Sequence, residues 1–184
     1  MTATRLRWIL FAAVAVCPLT ALVCFSAPRL PSGPNLTDGE LSLAHITKVR
    51  LDVEPLNHLL QDTTLTRKRI TDAWTETLAS VGIEVVDDDP EVPVLKLSTK
   101  ASVEKQLTGR CFATYLEVIQ PVYIKRLDRT LMVTTFIYVM GGIDSEQNLS
   151  GTVWTAFNIL VNGFIERVNL ATKVVGQVKT SGSH

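Results

Sequence analysis

A run of twenty residues without a single charge, Trp8–Ala27, follows a short N-terminal segment that carries Arg5 and Arg7. A basic segment followed by an apolar run is the pattern of a secretory signal peptide. As a helix, the run would be about 30 Å long, which is also enough to cross the hydrocarbon core of a membrane. The sequence therefore predicts that residues 1–27 are a signal peptide or an N-terminal membrane anchor, and that any water-soluble fold is built from the residues after them.

The two arginines also predict an orientation for the chain. Positive charges before an apolar segment favour the cytoplasmic side, so the rest of the chain is expected outside, in the periplasm or the extracellular space. If the segment is not cleaved, residues 8–27 make the membrane contact. A lipid anchor is a third alternative, but Cys17 and Cys24 each follow a valine, whereas lipid attachment favours a small residue at that position.

The exported part is expected to hold one domain, given the length of 184 residues. Residues 28–40 contain three prolines and two glycines and are predicted to form an extended tether. Residues 41–175 are the predicted single α+β domain, and residues 176–184 a flexible tail. Cys111 is the one cysteine outside the apolar run, so no disulfide within the domain is expected.

Hydrophobic periodicity predicts seven elements in this domain. Alternation with period two indicates strands, and apolar positions three and four residues apart indicate amphipathic helices. The predicted strands are His45–Val53, Ile83–Val86, Val94–Val103, Phe112–Ile124 and Leu131–Met140, and the predicted helices are Thr66–Val81 and Thr152–Val174.

Three positions give finer expectations. Gly82 is predicted to end the first helix. Pro121 lacks an amide hydrogen, so its strand is expected to lie at an edge or to bulge there. Leu131–Met140 is apolar on both faces and is predicted to be a central strand.

The order β-α-β-β-β-β-α predicts an α+β two-layer sandwich. Consecutive strands joined by short polar turns favour a mainly antiparallel sheet, and two amphipathic helices can cover one face of it.

This arrangement resembles a group of small exported bacterial α+β domains of unknown function. The residues that carry the resemblance are V-x-L-x-V at Val49–Val53, L-x-x-x-G-I-x-V-V at Leu78–Val86, an approximate Y-x-x-x-V-x-Q-x-V strand over Tyr115–Val122, and a tryptophan that opens the last helix, Trp154. The resemblance covers about residues 45–170 and implies a fold without catalytic residues.

Composition and motifs disfavour several chemistries. The 18 basic and 18 acidic side chains balance, whereas a nucleic-acid binder needs a basic surface, so no nucleic acid is expected. The three histidines (His45, His58 and His184) are not at metal-ligand spacing, and no Gly-x-Ser-x-Gly motif is present. We therefore expect no enzyme activity, no cofactor and no metal.

The sequence contains two basic groups, and one of them is a candidate for a partner contact. Arg67, Lys68 and Arg69 lie in the first turn of the predicted helix, where the helix dipole is already positive, so they are a candidate anion or partner contact. The competing interpretation is a solvated face compensated by Asp72 or Asp62. A second group, Lys125 and Arg126 with Arg129, is predicted to mark a hairpin tip.

The leader, the tether and the missing reactive motifs together predict a non-catalytic exported interaction module with a protein partner in the cell envelope. The alternative is a protein that binds a small ligand or lipid in a pocket between sheet and helices. An enzyme with a scattered acid–base set is a third and weaker hypothesis.

Overall fold

The computed structural model describes residues 36–60, 65–103 and 109–181, with side chains up to residue 177. Within these residues, five strands form one mixed sheet. The strands are β1 (Lys48–Val53), β2 (Glu84–Val85), β3 (Val94–Val103), β4 (Arg110–Ile124) and β5 (Arg129–Asp144). Their order across the sheet is β2-β1-β3-β4-β5. The predicted leader, and the part of the predicted tether before residue 36, lie outside the described residues.

The described helices are one short turn and two longer elements. They are α1 (Asp38–Leu41), α2 (Arg67–Ser80) and α3 (Leu149–Ser181), and a 3-10 turn at Lys125–Leu127 joins β4 to β5. Among the described helices, none combines the length and the apolar character needed to cross a membrane.

The connectivity explains the mixture of strand directions. β1 pairs in parallel with β2 on one side and with β3 on the other. The strands β3, β4 and β5 follow one another as antiparallel pairs. The parallel pairs require crossover connections, and α2 supplies the one between β1 and β2. The predicted class, an α+β sandwich with a mainly antiparallel sheet, is confirmed.

The core lies between one face of the sheet and the two long helices. Along β3 as far as Thr99, and along β4 from Phe112 to Val118, every second side chain is buried, including Leu95, Leu97, Leu116 and Val118. We call this the inner face of the sheet and the opposite one the outer face. From α2, Ile70, Trp74 and Leu78 are buried against it, as the four-residue apolar spacing of that segment predicts.

The tryptophans of the two long helices are buried to different extents. Trp74 is fully buried in the core. Trp154 is half-buried and packs against the core from α3. Gly82, with a φ of 82°, ends the segment after α2 in the left-handed conformation that glycine tolerates best.

The prediction of a central strand at Leu131–Met140 is wrong, because β5 is the edge strand of the sheet. Its two apolar faces have different causes. Phe136, Tyr138 and Met140 pack on the core. The alternate residues Ile137 and Val139 are 54% and 50% exposed. The apolar residues on both faces of β5 therefore indicate an exposed apolar surface on one side rather than burial on both sides.

Pro121 lies where the expectation placed it, at a local edge. The last residue of β4 that pairs with β3 is Ile119, opposite Val94. Beyond Ile119, β4 pairs only with β5. The missing amide hydrogen of Pro121 therefore interrupts no hydrogen bonding between β4 and β3. The register of β4 and β5 also shifts between Val118 and Ile119, which leaves Thr135 as the extra residue of a bulge.

The ends of α3 and the start of the described fold differ from the predicted bounds. Helix α3 begins at Leu149 and continues to Ser181, so it includes residues 176–181 of the predicted tail. α1 lies at the end of the segment assigned to the tether. It is held by a capping box, in which Thr37 Oγ1 accepts from the Glu40 backbone amide and Glu40 accepts from that of Thr37.

Gly163 is a point of close approach between α3 and the sheet. A β-carbon at this position would lie 2.3 Å from Cε1 of the Tyr138 ring. At Gly176, on the same helix, a β-carbon would meet nothing within 4 Å. Helix propensity alone favours alanine over glycine at both positions by up to about 1 kcal/mol.

We predict opposite outcomes for the two alanine variants. Gly176→Ala should leave the domain as stable as the wild type or slightly more stable. Gly163→Ala should fall below Gly176→Ala by about 1–3 kcal/mol, the usual cost of forcing extra volume into a packed contact. Chemical denaturation of both variants measures this difference in the free energy of unfolding. Equal stability of the two variants would contradict the close approach of α3 and β5.

Candidate functional site

The β4–β5 hairpin extends beyond the rest of the sheet. Because β3 pairs with β4 only up to Ile119, residues 120–133 form a two-stranded ribbon closed by the 3-10 turn. We call residues 120–133 the arm. Its two strands pair with each other from Gln120, opposite Val133, to Ile124, opposite Arg129.

The arm carries large apolar side chains on both faces. Strand alternation places Tyr123 and Met132 on the outer face and Val122 and Val133 on the other. Their exposed fractions are 58% for Tyr123, 47% for Met132, 37% for Val133 and 36% for Val122, and Leu127 in the turn is 47% exposed. Exposed apolar groups clustered on one protruding element are typical of an interaction surface.

The tip of the arm is basic and ordered by one polar contact. Asp128 adopts a left-handed conformation with a φ of 49°. Its carboxylate accepts a hydrogen bond of 2.5 Å from the Tyr123 hydroxyl, and this bond raises the pKa of Tyr123. Lys125, Arg126 and Arg129 surround this contact and are exposed. The predicted hairpin tip is therefore present, with three cations against one carboxylate.

α1 braces the base of the arm. Gln120 Nε2 donates to Thr135 Oγ1 at 3.0 Å and to Ser42 Oγ, just after α1, at 3.3 Å. The Glu40 carboxylate of α1 lies 3.0 Å from Arg167 of α3. One face of the arm base is thus tied through α1 to the longest helix of the fold.

A shallow groove of about 490 Å³ runs along the outer face of the sheet toward the arm. Its charged lining consists of Arg50, Asp52, Asp87 and Lys96, and Met132 of the arm contributes to its apolar part. Lys96 is paired with Glu54 at 2.8 Å, a contact that raises the pKa of Lys96 and lowers that of Glu54. Arg50 Nε is buried without a hydrogen-bond partner among the described residues. The groove thus offers mixed charge beside an apolar surface.

The basic group Arg67, Lys68 and Arg69 opens α2, but its members face different neighbours. Lys68 forms an ion pair with Asp72 at 2.6 Å. The guanidinium of Arg69 lies 4.6 Å from the centre of the Trp154 ring on α3, within cation–π range. Arg67 is exposed. Two of the three cations therefore have partners within the domain, and the anion contact at this position stays a prediction.

Residues with catalytic or metal-binding chemistry are dispersed. Within the described ranges, no three His, Cys, Asp or Glu residues are grouped closely enough to hold a metal ion. Cys111 is half-buried on the sheet, opposite Ser102 and Ile143. His45 and His58 are exposed, and the backbone amide of His45 donates to Thr172 on α3.

No protein-family model matches the chain, and neither does a curated protein sequence. A solved structure of a minor lipoprotein from Acinetobacter baumannii is similar to it, with a TM-score of 0.31 and 10% sequence identity, over 75% of this chain and 94% of that chain. At that TM-score, the similarity carries no argument about function. The resemblance to small exported bacterial domains accordingly stays a prediction.

The brace between α1 and α3 should make the stability of the domain sensitive to acid. The pKa of Glu40 is lowered, first by the hydrogen bond from the Thr37 backbone amide and also by Arg167. A lowered pKa in the folded state means that the ionised form stabilises the fold. This contribution is present above the ordinary value of 4.5 and is lost as the pH falls below it.

We predict that Glu40→Gln is less stable than the wild type at pH 7 and that the difference shrinks between pH 5 and pH 3. Thermal unfolding across this pH range measures the gap. Glu76→Gln, on the exposed side of α2, is the matched control for the loss of one carboxylate. A gap that stays constant down to pH 3 would contradict the role of ionised Glu40.

Proposed function

We propose that the chain is an exported, non-catalytic interaction module that contacts a protein partner in the cell envelope through the arm. The observation that carries this proposal is the exposure of apolar side chains on both faces of a ribbon that projects beyond the sheet. The leader, with its basic start and uncharged run, supports the exported location.

The energetics of the ribbon favour a bound state. Two strands alone are marginally stable in water, because they lack a third strand or a helix to cover an apolar face. In this fold, the brace at Gln120 supports the base of the arm but not its outer half. A partner that covers Tyr123 and Met132 would remove their apolar surface from water at roughly 25 cal/mol per Å².

The chemistry of the arm defines the partner that fits it. The apolar sides call for a hydrophobic cleft with room for an aromatic ring, which is the usual centre of a protein interface. The three cations at the tip call for carboxylates at the rim of that cleft. Such rim charges act mainly on the association rate and on specificity, so binding should weaken moderately, rather than vanish, at high salt.

The alternative of a small ligand or lipid between sheet and helices has less support. The described side chains between these layers pack as one continuous core that includes Trp74, Phe157 and Phe164. The groove of the outer face lies on the other side of the sheet. It is better suited to an extension of the arm surface than to an enclosed ligand.

We predict that the domain is accessible to protease outside the cytoplasmic membrane. When bacterial cells that produce the full chain are converted to spheroplasts, added protease should cut within the predicted tether and leave a folded fragment that begins near Leu36. A cytoplasmic marker protein in the same sample should stay intact. Protection of the domain until the membrane is dissolved would refute the exported location.

We predict that the arm contacts its partner in living cells. A photo-crosslinking amino acid at Tyr123 or Met132 should give one discrete adduct of the same partner. The same group at Val81, which is 47% exposed after α2 and outside the arm, is the matched control and should not give this adduct. The adduct from Met132 should disappear when Tyr123 and Leu127 are both replaced by serine.

Two outcomes would contradict the proposal. One is an equal adduct pattern from the arm positions and from Val81. The other is full survival of the adduct in the double serine variant, provided that this variant melts within a few degrees of the wild type.

A further inference from the structure

The free edge of β5 presents a second uncovered surface, separate from the arm. No strand lies beyond β5 among the described residues, and fourteen consecutive residues of this strand, Thr130–Ile143, carry no charge. Natural proteins usually protect long edge strands with lysines, prolines, bulges or a covering element. The way in which β5 is protected, and where that protection stops, defines the surface.

The protection that the structure shows is confined to the middle of the strand, at Thr135. Thr135 forms the bulge, and Gly39 of α1 lies so close to the Thr135 carbonyl that a β-carbon on Gly39 would be 2.2 Å from the oxygen. From Phe136 to Asp144, the strand pairs regularly with β4 and has no charged residue before Asp144. We call these nine residues the open edge. Its midpoint is Met140.

Apolar groups flank the open edge on both faces of the sheet. On the outer face, Ile137, Val139 and Ile143 are 54%, 50% and 60% exposed. On the inner face, α3 runs above the edge. Thr152 donates to Asp144 and Gly163 lies against Tyr138, so the side of α3 that carries these two residues faces β5.

Ile159 extends the apolar surface onto that side of α3. It lies seven residues after Thr152 and four before Gly163, so the three positions share one helical face. Its side chain is 42% exposed. Exposed apolar side chains therefore lie on both sides of the open edge, in the outer row and at Ile159.

We infer that the open edge pairs with the open edge of a second copy of this chain, antiparallel, about a twofold axis at Met140. The open edge is its own complement under this operation. With Met140 opposite Met140 of the second copy, Val139 lies opposite Gly141 and Ile137 lies opposite Ile143. The small glycine leaves a notch in the outer face, and the isopropyl group of Val139 fills the notch of the second copy.

The absence of charge along the open edge also favours a second copy over a charged partner strand. The open edge before Asp144 is neutral, and in this register Asp144 lies opposite Phe136 of the second copy, so self-pairing places no like charges opposite each other. A strand from an acidic or basic partner would gain nothing from this surface. The twofold axis makes one ten-stranded sheet and places both α3 helices on the same face, with their Ile159 sides turned toward each other.

The oligomeric state of the isolated full chain tests this pairing. Sedimentation equilibrium in a density-matched nonionic detergent should give twice the mass of a single chain, which is 20.3 kDa for the unprocessed sequence. Val139→Lys places two ammonium groups beside the axis and should raise the dimer dissociation constant at least tenfold. Met132→Lys, on the same strand and outer face and 47% exposed, is the matched control and should leave the dimer intact.

A cysteine at the axis tests the register without relying on a charged variant. In a background with Cys17, Cys24 and Cys111 replaced by serine, Met140→Cys should form an intermolecular disulfide under mild oxidation, because directly opposed residues are within disulfide range. Thr134→Cys, before the open edge, should not.

The outcomes separate clearly. A wild-type chain that stays monomeric at all concentrations, a dimer that Val139→Lys leaves unchanged, or equal crosslinking at 134 and 140 would each overturn the inference. None of these results bears on the arm, since photo-crosslinking at Tyr123 is read out on a different partner.

Discussion

The packing of α3 across β4 and β5 is the contact on which the rest of this structure depends. A 33-residue helix spans roughly 50 Å at 1.5 Å per residue. It can therefore support both strands of a long hairpin, whereas β3 supports only one part of it. The absence of a side chain at Gly163 lets the Tyr138 ring approach the helix axis. Helix α3 packs on both β4 and β5, whereas β3 pairs with β4 only as far as Ile119 and no described strand pairs with the other side of β5.

The two uncovered surfaces follow from that geometry in different ways. The arm is uncovered because β4 and β5 are longer than β3. The open edge has no neighbouring strand among the described residues, and the bulge and the α1 contact at Thr135 lie before it. Both surfaces are apolar, but only the arm ends in a cluster of cations. The two proposals therefore assign contact with a different protein and contact with a second copy to separate surfaces.

Much of the fold was predictable from local patterns, and the errors have physical causes. The alternation of Val94–Val103 and the spacing around Trp74 follow directly from burial on one side, so those elements were placed within one or two residues. The predicted central position of β5 is wrong because a sequence does not distinguish an exposed apolar residue from a buried one. Ile137 and Tyr138 illustrate this, since they are neighbours on opposite faces and only the second packs on the core.

Contacts between residues far apart in the sequence could not be predicted from local sequence patterns. Nothing near Arg69 in the sequence indicates the Trp154 ring 85 positions later. The capping box from Thr37 to Glu40 was readable as a helix start, but the prolines before it pointed to a tether. The hairpin tip at Lys125–Arg129 was predicted, whereas its projection beyond β3 depends on where Val94 enters the sheet.

The arm also has a consequence for how such a domain can change over evolutionary time. Side chains on a strand alternate between faces, so inserting or deleting two residues in each strand of the arm would alter its reach by about 7 Å and keep every remaining side chain on its face. A change of one residue per strand would invert both faces at once. Because the arm makes no ladder with β3, neither change would disturb the core. The length of the arm can therefore change by two residues per strand among descendants of this sequence, while the side chains at its tip keep the same orientation.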